Sequence, residues 1–249
     1  MRAALPILTL ALLAQTATAD LVRVSSERVL RVRGFDGTGA EAFKTEQVRT
    51  DTGDWTQSLD GFGFVGPNFL AGSTYQRSNM DAVLTPQVPN SLMLLQGSAA
   101  LAGNISTADP LIAWATSSAS YTFSTDVAAK IRIIWSLEST GLANPWSLDS
   151  PSGFTLTRES DIFAGPILQQ DAGVGEINTG FITLTIDPGT YTLKAGAYAS
   201  LYQGDRPVST LPGSPEQAGG YTVTMALLPS PASVLPLAMA GLLASRRRR

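Results

Sequence analysis

Between Ile131 and Leu137 the chain reads IRIIWSL, with Ile131, Ile133, Trp135 and Leu137 apolar at every second position. Successive side chains on a strand point to opposite faces, so this spacing predicts a half-buried β-strand with those four groups turned inward. Such a strand needs a sheet, and the sheet's apolar face needs a second layer to cover it. Neighbouring segments repeat the signal. Ala113 to Phe123 ends in a strand with Tyr121 and Phe123 on one face and Thr122 and Ser124 on the other. Gly180 to Ile186, Asp187-Pro188-Gly189 and Thr190 to Leu201 predict a β-hairpin, with proline presetting the turn's second position and glycine accepting positive φ at its third. On the return strand Tyr191, Leu193, Ala195, Ala197 and Ala199 share a face whose small alanines suit close sheet-to-sheet packing. Tyr221 to Leu227 is the final strand.

Upstream the pattern is weaker. Leu21 to Arg33 reads as one or two strands, and Leu92 to Leu101 as one or two more, because Gly97 and the prolines before it argue against a helix. Gly61 to Gly72 (GFGFVGPNFLAG) carries aromatics between glycines and is expected to be an ordered loop. Phe154 to Thr157 is a short strand, and Asp161 to Leu168 another, interrupted by Gly165-Pro166. With 23 glycines, 15 prolines and only 15% charged residues, the composition is that of a turn-rich sheet protein. The expected fold is all-β, an antiparallel two-sheet sandwich over residues 20–228, least legible in 34–110. There is no cysteine and no histidine, which excludes disulfides, thiolate metal sites and imidazole-based mechanisms. No repeat of 20–50 residues is evident.

The two ends differ from the body. Met1 and Arg2, the apolar stretch Ala4 to Ala14 and the small-residue ending Ala17-Thr18-Ala19 form a predicted signal peptide, residues 1–19, cleaved after Ala19. At the other end Pro229, Ser230 and Pro231 lead into an apolar run from Ala232 to Ala244, which stops at Arg246, Arg247, Arg248 and Arg249. As a helix that run is about 20 Å long against a hydrocarbon core of about 30 Å, so it spans only with snorkelling flanks. The arginines set its orientation, keeping their end cytoplasmic and the preceding domain outside. Without both ends the chain keeps 12 basic residues against 20 acidic ones, a net charge of −8. That charge argues against nucleic acid and anionic membrane surfaces as partners.

The tail, residues 229–249, resembles a PEP-CTERM-type sorting signal of bacteria, a Pro-x-Pro motif followed by a transmembrane helix and an arginine cluster, here without the central glutamate. The resemblance implies recognition by an exosortase, a membrane-embedded protease, in a cell that makes extracellular polysaccharide. It implies an exported location, at the cell surface or outside it, with membrane attachment before the tail is processed. From Ser118 to the C-terminus the strand pattern resembles the jelly-roll-like sandwich of proteins carrying such tags, which implies a signal-peptide helix and a sorting helix at the two ends.

Candidate chemistry is sparse. Asp51, Asp54 and Asp60 are candidate Ca²⁺ ligands in a glycine-rich region, with solvated turn aspartates as the ordinary account. Glu159 and Asp161, two apart on a strand, form a carboxylate pair of the kind glycoside hydrolysis needs. Trp135 belongs to the core by its period, whereas Trp55 and Trp146 flank loops and are candidate sugar-stacking residues. The expectation is a non-catalytic, surface-sorted structural or adhesive protein of the extracellular matrix, with no cofactor. A carbohydrate-binding module and, third, a carboxylate-dependent glycoside hydrolase are the alternatives.

Overall fold

The computed structural model describes residues 19–36, 38–65, 68–85, 92–104, 111–141, 152–161, 165–173, 175–203 and 216–229. The predicted signal-peptide helix and sorting helix lie outside these residues, apart from Ala19 and Pro229. Among the described residues no helix is long and apolar enough to cross a membrane.

Among the described residues thirteen strands make two antiparallel sheets: β1 (Leu21–Phe35), β2 (Glu41–Arg49), β3 (Gly53–Val65), β4 (Asn68–Met80), β5 (Val83–Leu84), β6 (Leu92–Asn104), β7 (Leu111–Thr125), β8 (Ala129–Gly141), β9 (Ser152–Arg158), β10 (Leu168–Ala172), β11 (Ile177–Ile186), β12 (Gly189–Gln203) and β13 (Glu216–Leu228). The first sheet runs β10-β9-β12-β7-β1-β2 with β5 on β1, and the second β11-β8-β13-β6-β4-β3. The two-sheet, all-β expectation holds, and Ile131, Ile133, Trp135 and Leu137 lie buried as the alternation requires.

The predicted hairpin at Asp187-Pro188-Gly189 does not form. β11 pairs with β8 in the second sheet, while β12 sits between β7 and β9 in the first. Gly189 has φ 153°, far from the roughly +80° that a type II turn asks of its third residue. The turn's carbonyls are taken by side chains instead: the Tyr191 hydroxyl donates to Asp187 O at 2.8 Å and Arg158 Nη2 to Pro188 O at 2.8 Å. The segment is a corner between sheets, and β6, β7, β8 and β9 alternate between sheets in the same way.

Within the expected loop, residues 61–65 and 68–72 are instead the paired ends of β3 and β4. Gly61, Gly63 and Gly72 are there for space. A Cβ on Gly72 would stand 2.5 Å from Val32 Cγ1, and one on Gly63 2.5 Å from Phe43 Cδ1, so side chains from the first sheet press directly on the backbone of the second. Leu92–Asn104 is one strand, and Gly97 serves the same purpose: its Cβ would meet Ser117 Oγ at 2.3 Å and the Tyr221 hydroxyl at 2.7 Å. The expected strand from Asp161 to Leu168 is not found among the described residues: Glu159–Asp161 forms a 3₁₀ turn, residues 165–167 lie in no strand, and β10 starts only at Leu168.

The core between the sheets is mostly apolar, with a hydrogen-bonded polar cluster at its centre. There Gln76 Nε2 donates to the Tyr221 hydroxyl at 2.9 Å and to Ser118 O at 3.1 Å, and Ser117 Oγ donates to Tyr75 O at 2.8 Å. These bonds tie β4 and β13 of one sheet to β7 of the other, so the polar cluster fixes how the sheets sit on each other. Burial pushes the Tyr221 phenol up to about 12.

Candidate functional site

The registers give the sandwich two distinct ends. Leu21 and Val22 open β1 beside Leu84 and Ser124, and Leu228 closes β13 beside Lys130, one turn along from Ser124. The first and last strands therefore begin and finish at the same end. The opposite, distal end carries the β3–β4 tip at Val65 and Asn68, the pairing of Phe35 with Ile112, and the end of β12. Along the 15-residue β12 the two ends are roughly 45 Å apart.

Aromatic groups gather near the distal end on both outer faces. On the first sheet Phe35 and Trp114 lie with ring centroids 5.0 Å apart and planes tilted by 32°, and the Arg33 guanidinium covers Phe35 at 5.4 Å. Arg33 Nε also donates to Glu41 Oε1 at 3.3 Å, which holds the cation over the ring. From this pair a hydroxyl-rich stripe runs down β7: Thr116, Ser118, Ser120, Thr122 and Ser124 alternate with inward Ala115, Ser117, Ala119, Tyr121 and Phe123. Thr192 of β12 extends it, with its Oγ1 2.7 Å from that of Thr122. On the second sheet Phe62 and Phe64 are each 70% exposed. Phe62 borders an open trough of about 350 Å³ over Ala71, Ser73, Ala100 and Ala102, with Asp60 beside it. Ring faces beside hydroxyls and a fixed cation make a surface suited to flat, hydroxylated ligands, which stack on π-faces and accept or donate hydrogen bonds at the rim.

The residues singled out from sequence fall elsewhere. Trp55 is not on a loop. It points into β3's packed side with 8% exposure, against Leu30 and Leu59, with the Arg28 guanidinium 5.9 Å from its ring centroid. The sugar-stacking assignment fails for it, because the preceding turn closes at Gly53 (φ 88°) and the strand begins there, putting position 55 on the inward parity. Trp146 lies outside the described residues, as do Ala17, Ser230, Pro231 and Arg246 to Arg249. Ala19 is buried against the core just ahead of β1, and Pro229 is exposed one residue past β13.

Asp51, Asp54 and Asp60 do not converge. Asp51 is paired with Arg49, whose hydrogen bond holds its carboxyl below the usual carboxylate value, while Asp54 and Asp60 lie about 20 Å apart along β3. Among the described residues no cluster of three or more acidic groups could hold a metal. Glu159 and Asp161 belong to a 3₁₀ turn and not to a strand, and Glu159 accepts a hydrogen bond from Thr192 Oγ1.

Sequence reasoning passed over Trp114, Phe35 and Phe62. Counting parity back from Tyr121 puts Trp114 on the outer face, so that signal was present. Phe62 was hidden by glycines that look like a loop and serve as sheet-contact positions.

No family model matches this chain, and no curated protein matches it. Among solved structures it has a distant likeness to the GH31 alpha-xylosidase from Xanthomonas citri, at 9% identity over 76% of this chain and 27% of that chain with a TM-score of 0.18. At that score the likeness carries no argument.

Proposed function

We propose that this chain is an exported, non-catalytic β-sandwich that serves as an adhesive or structural component at a bacterial surface or in its extracellular matrix. The observation that carries the proposal is polarity along the long axis. The strands that adjoin the two terminal segments share one end, and the outward aromatics Phe35, Trp114 and Phe62 lie towards the other. A domain tethered by the signal-like or sorting-like ends would hold those aromatics away from the membrane. The strand alternation between sheets fits the jelly-roll-like pattern of tagged, exported sandwiches, and the tail then makes an exosortase and the inner membrane its transient partners. Intact-mass analysis of the chain recovered from cells tests the sorting step: a mass ending near Pro231 supports it, and an unprocessed cytosolic chain overturns it.

The second reading is carbohydrate binding, favoured by the tilted Phe35–Trp114 pair next to the β7 hydroxyl stripe. Its ligand class is extracellular polysaccharide. Retention of the chain on matrix polysaccharide, compared with Trp114→Ala and Phe62→Ser, separates the two. Loss of retention in Trp114→Ala alone supports a sugar platform there, and retention unchanged in both variants leaves the adhesive reading without a glycan.

A further inference from the structure

Among the described residues five strands form the edges of the two sheets, and four are protected, β5 by being only two residues long. β2 carries Glu41, Lys44, Glu46 and Arg49, β3 carries Asp54 and Asp60, and β10 is five residues long with Asp171 on it. Charge and shortness are the usual defences of a free edge against a second strand. β11 has neither. Its ten residues, INTGFITLTI, contain no charge and no proline, and Ile177 and Phe181 are 72% and 71% exposed. Among the described residues its backbone pairs with β8 alone.

We infer that β11 is a self-pairing edge, and that two copies of this chain join antiparallel along it to make one continuous sheet. The pattern of β11 is self-complementary about Phe181. With Phe181 opposite its twin, Thr179 faces the partner's Thr183 and Ile177 the partner's Thr185, so every outward residue stays on the outer face. Threonine pairs and an aromatic pair are favourable cross-strand neighbours. The rows continue into β8. Ile134, 50% exposed, pairs with Phe181, so the joined sheet carries an apolar stripe of Ile134 and Phe181 followed by the same two residues in reverse. Glu138 pairs with Ile177 and Lys130 with Thr185, which sets opposite charges on a shared row across the junction. Two copies of β3 would instead bring aspartates onto each other's edge. Antiparallel pairing also points the two distal ends in opposite directions. If the terminal segments tether the chain as proposed above, such a pair bridges two facing surfaces. The pairing itself does not depend on that reading.

The absence of cysteine gives a direct test. Full-length chain in mild detergent, which keeps the apolar ends from associating, is followed by sedimentation velocity over a concentration series. Phe181→Lys sets two like charges directly opposite each other, and separately the double variant Thr179→Lys/Thr183→Lys does so on the flanking rows; both are expected to weaken dimerisation at least about tenfold, with the circular-dichroism melting curve of the monomer unchanged. Phe181→Cys is expected to cross-link into a dimer with a short bis-maleimide, and Phe62→Cys on the other edge is not. A wild-type chain that stays monomeric across the series overturns the inference. So does a dimer that survives both lysine variants, or one that cross-links as readily through position 62.

Discussion

Raising the pH tests the polar centre of the core. Tyr221 accepts a hydrogen bond from Gln76, its proton faces Ser117 Oγ at 3.4 Å, and no solvent reaches it, so ionising it means placing a phenolate in a dry interior. Its pKa rises to about 12 in the folded chain against about 10 unfolded. The folded state therefore holds this proton more tightly: the stability it supports is complete below pH 10 and drains away as the pH climbs from 10 to 12. Two units correspond to about 2.7 kcal/mol, a large share of the 5–15 kcal/mol typical of a domain. Tyr121, buried and donating to Asp81 O at 2.8 Å, is likewise pushed up to about 12 and adds a loss of the same sign. Tyr221→Phe is expected to cost about 1 kcal/mol at pH 8, because Gln76 Nε2 keeps Ser118 O and Ser117 keeps Tyr75 O. In return it should flatten the alkaline limb by about 2 to 3 kcal/mol. Urea unfolding midpoints at intervals from pH 8 to 12 measure both. The reasoning is refuted if the variant loses as much stability between pH 10 and 12 as the wild type, or if ultraviolet titration finds all six tyrosines of the folded chain ionising near 10.

Other expectations follow from single contacts. Gly97→Ala drives a methyl into Ser117 and Tyr221 and is expected to cost about 1 to 3 kcal/mol in chemical denaturation. Arg28 is fully buried, with Nη2 on Gly53 O at 2.7 Å, Nε and Nη1 unpaired by hydrogen bonds and Asp51 3.6 Å away; burial pulls its pKa down and Asp51 restores only part of it. Arg28→Met should therefore leave stability within about 1 kcal/mol of wild type or raise it, since Asp51 keeps Arg49, whereas Arg28→Ala opens a void beside Trp55 and should cost about 2 kcal/mol or more. Asn178→Leu removes the acceptor 3.0 Å from Trp135 Nε1 and is expected to lower stability by about 1 kcal/mol and shift the tryptophan emission.

Layering was legible wherever one face of a strand is apolar and the other polar. Ile131 to Leu137 and Tyr191 to Ala199 declare their inward sides without ambiguity, because each inward residue meets the opposite sheet. Partner choice was not legible. Nothing in Asp187-Pro188-Gly189 distinguishes a turn that returns to its own sheet from one that crosses the core, since both need a proline-set bend and differ only in which carbonyls are later claimed by Tyr191 and Arg158. The β3–β4 hairpin failed for a different reason. Its glycines answer to Val32 and Phe43, residues more than fifteen positions upstream, and local pattern carries no trace of that. The aromatic end was half visible: Trp114 follows from parity alone, but its meeting with Phe35 depends on the β1–β7 register, which joins segments some eighty residues apart.

The position of the last strand has a consequence for how this chain comes into being. β13 lies in the interior of its sheet, with β8 on one side and β6 on the other, and both neighbours are synthesised long before it. Until it emerges the layer has a missing middle, and no earlier stretch can bury its greasy side in a finished form. The second sheet closes only after β13 has been made, so a nascent copy keeps that layer open during synthesis. A stop codon anywhere before Glu216 would release a product with a gap in place of its keystone, fit for proteolysis rather than a shortened version of the same body.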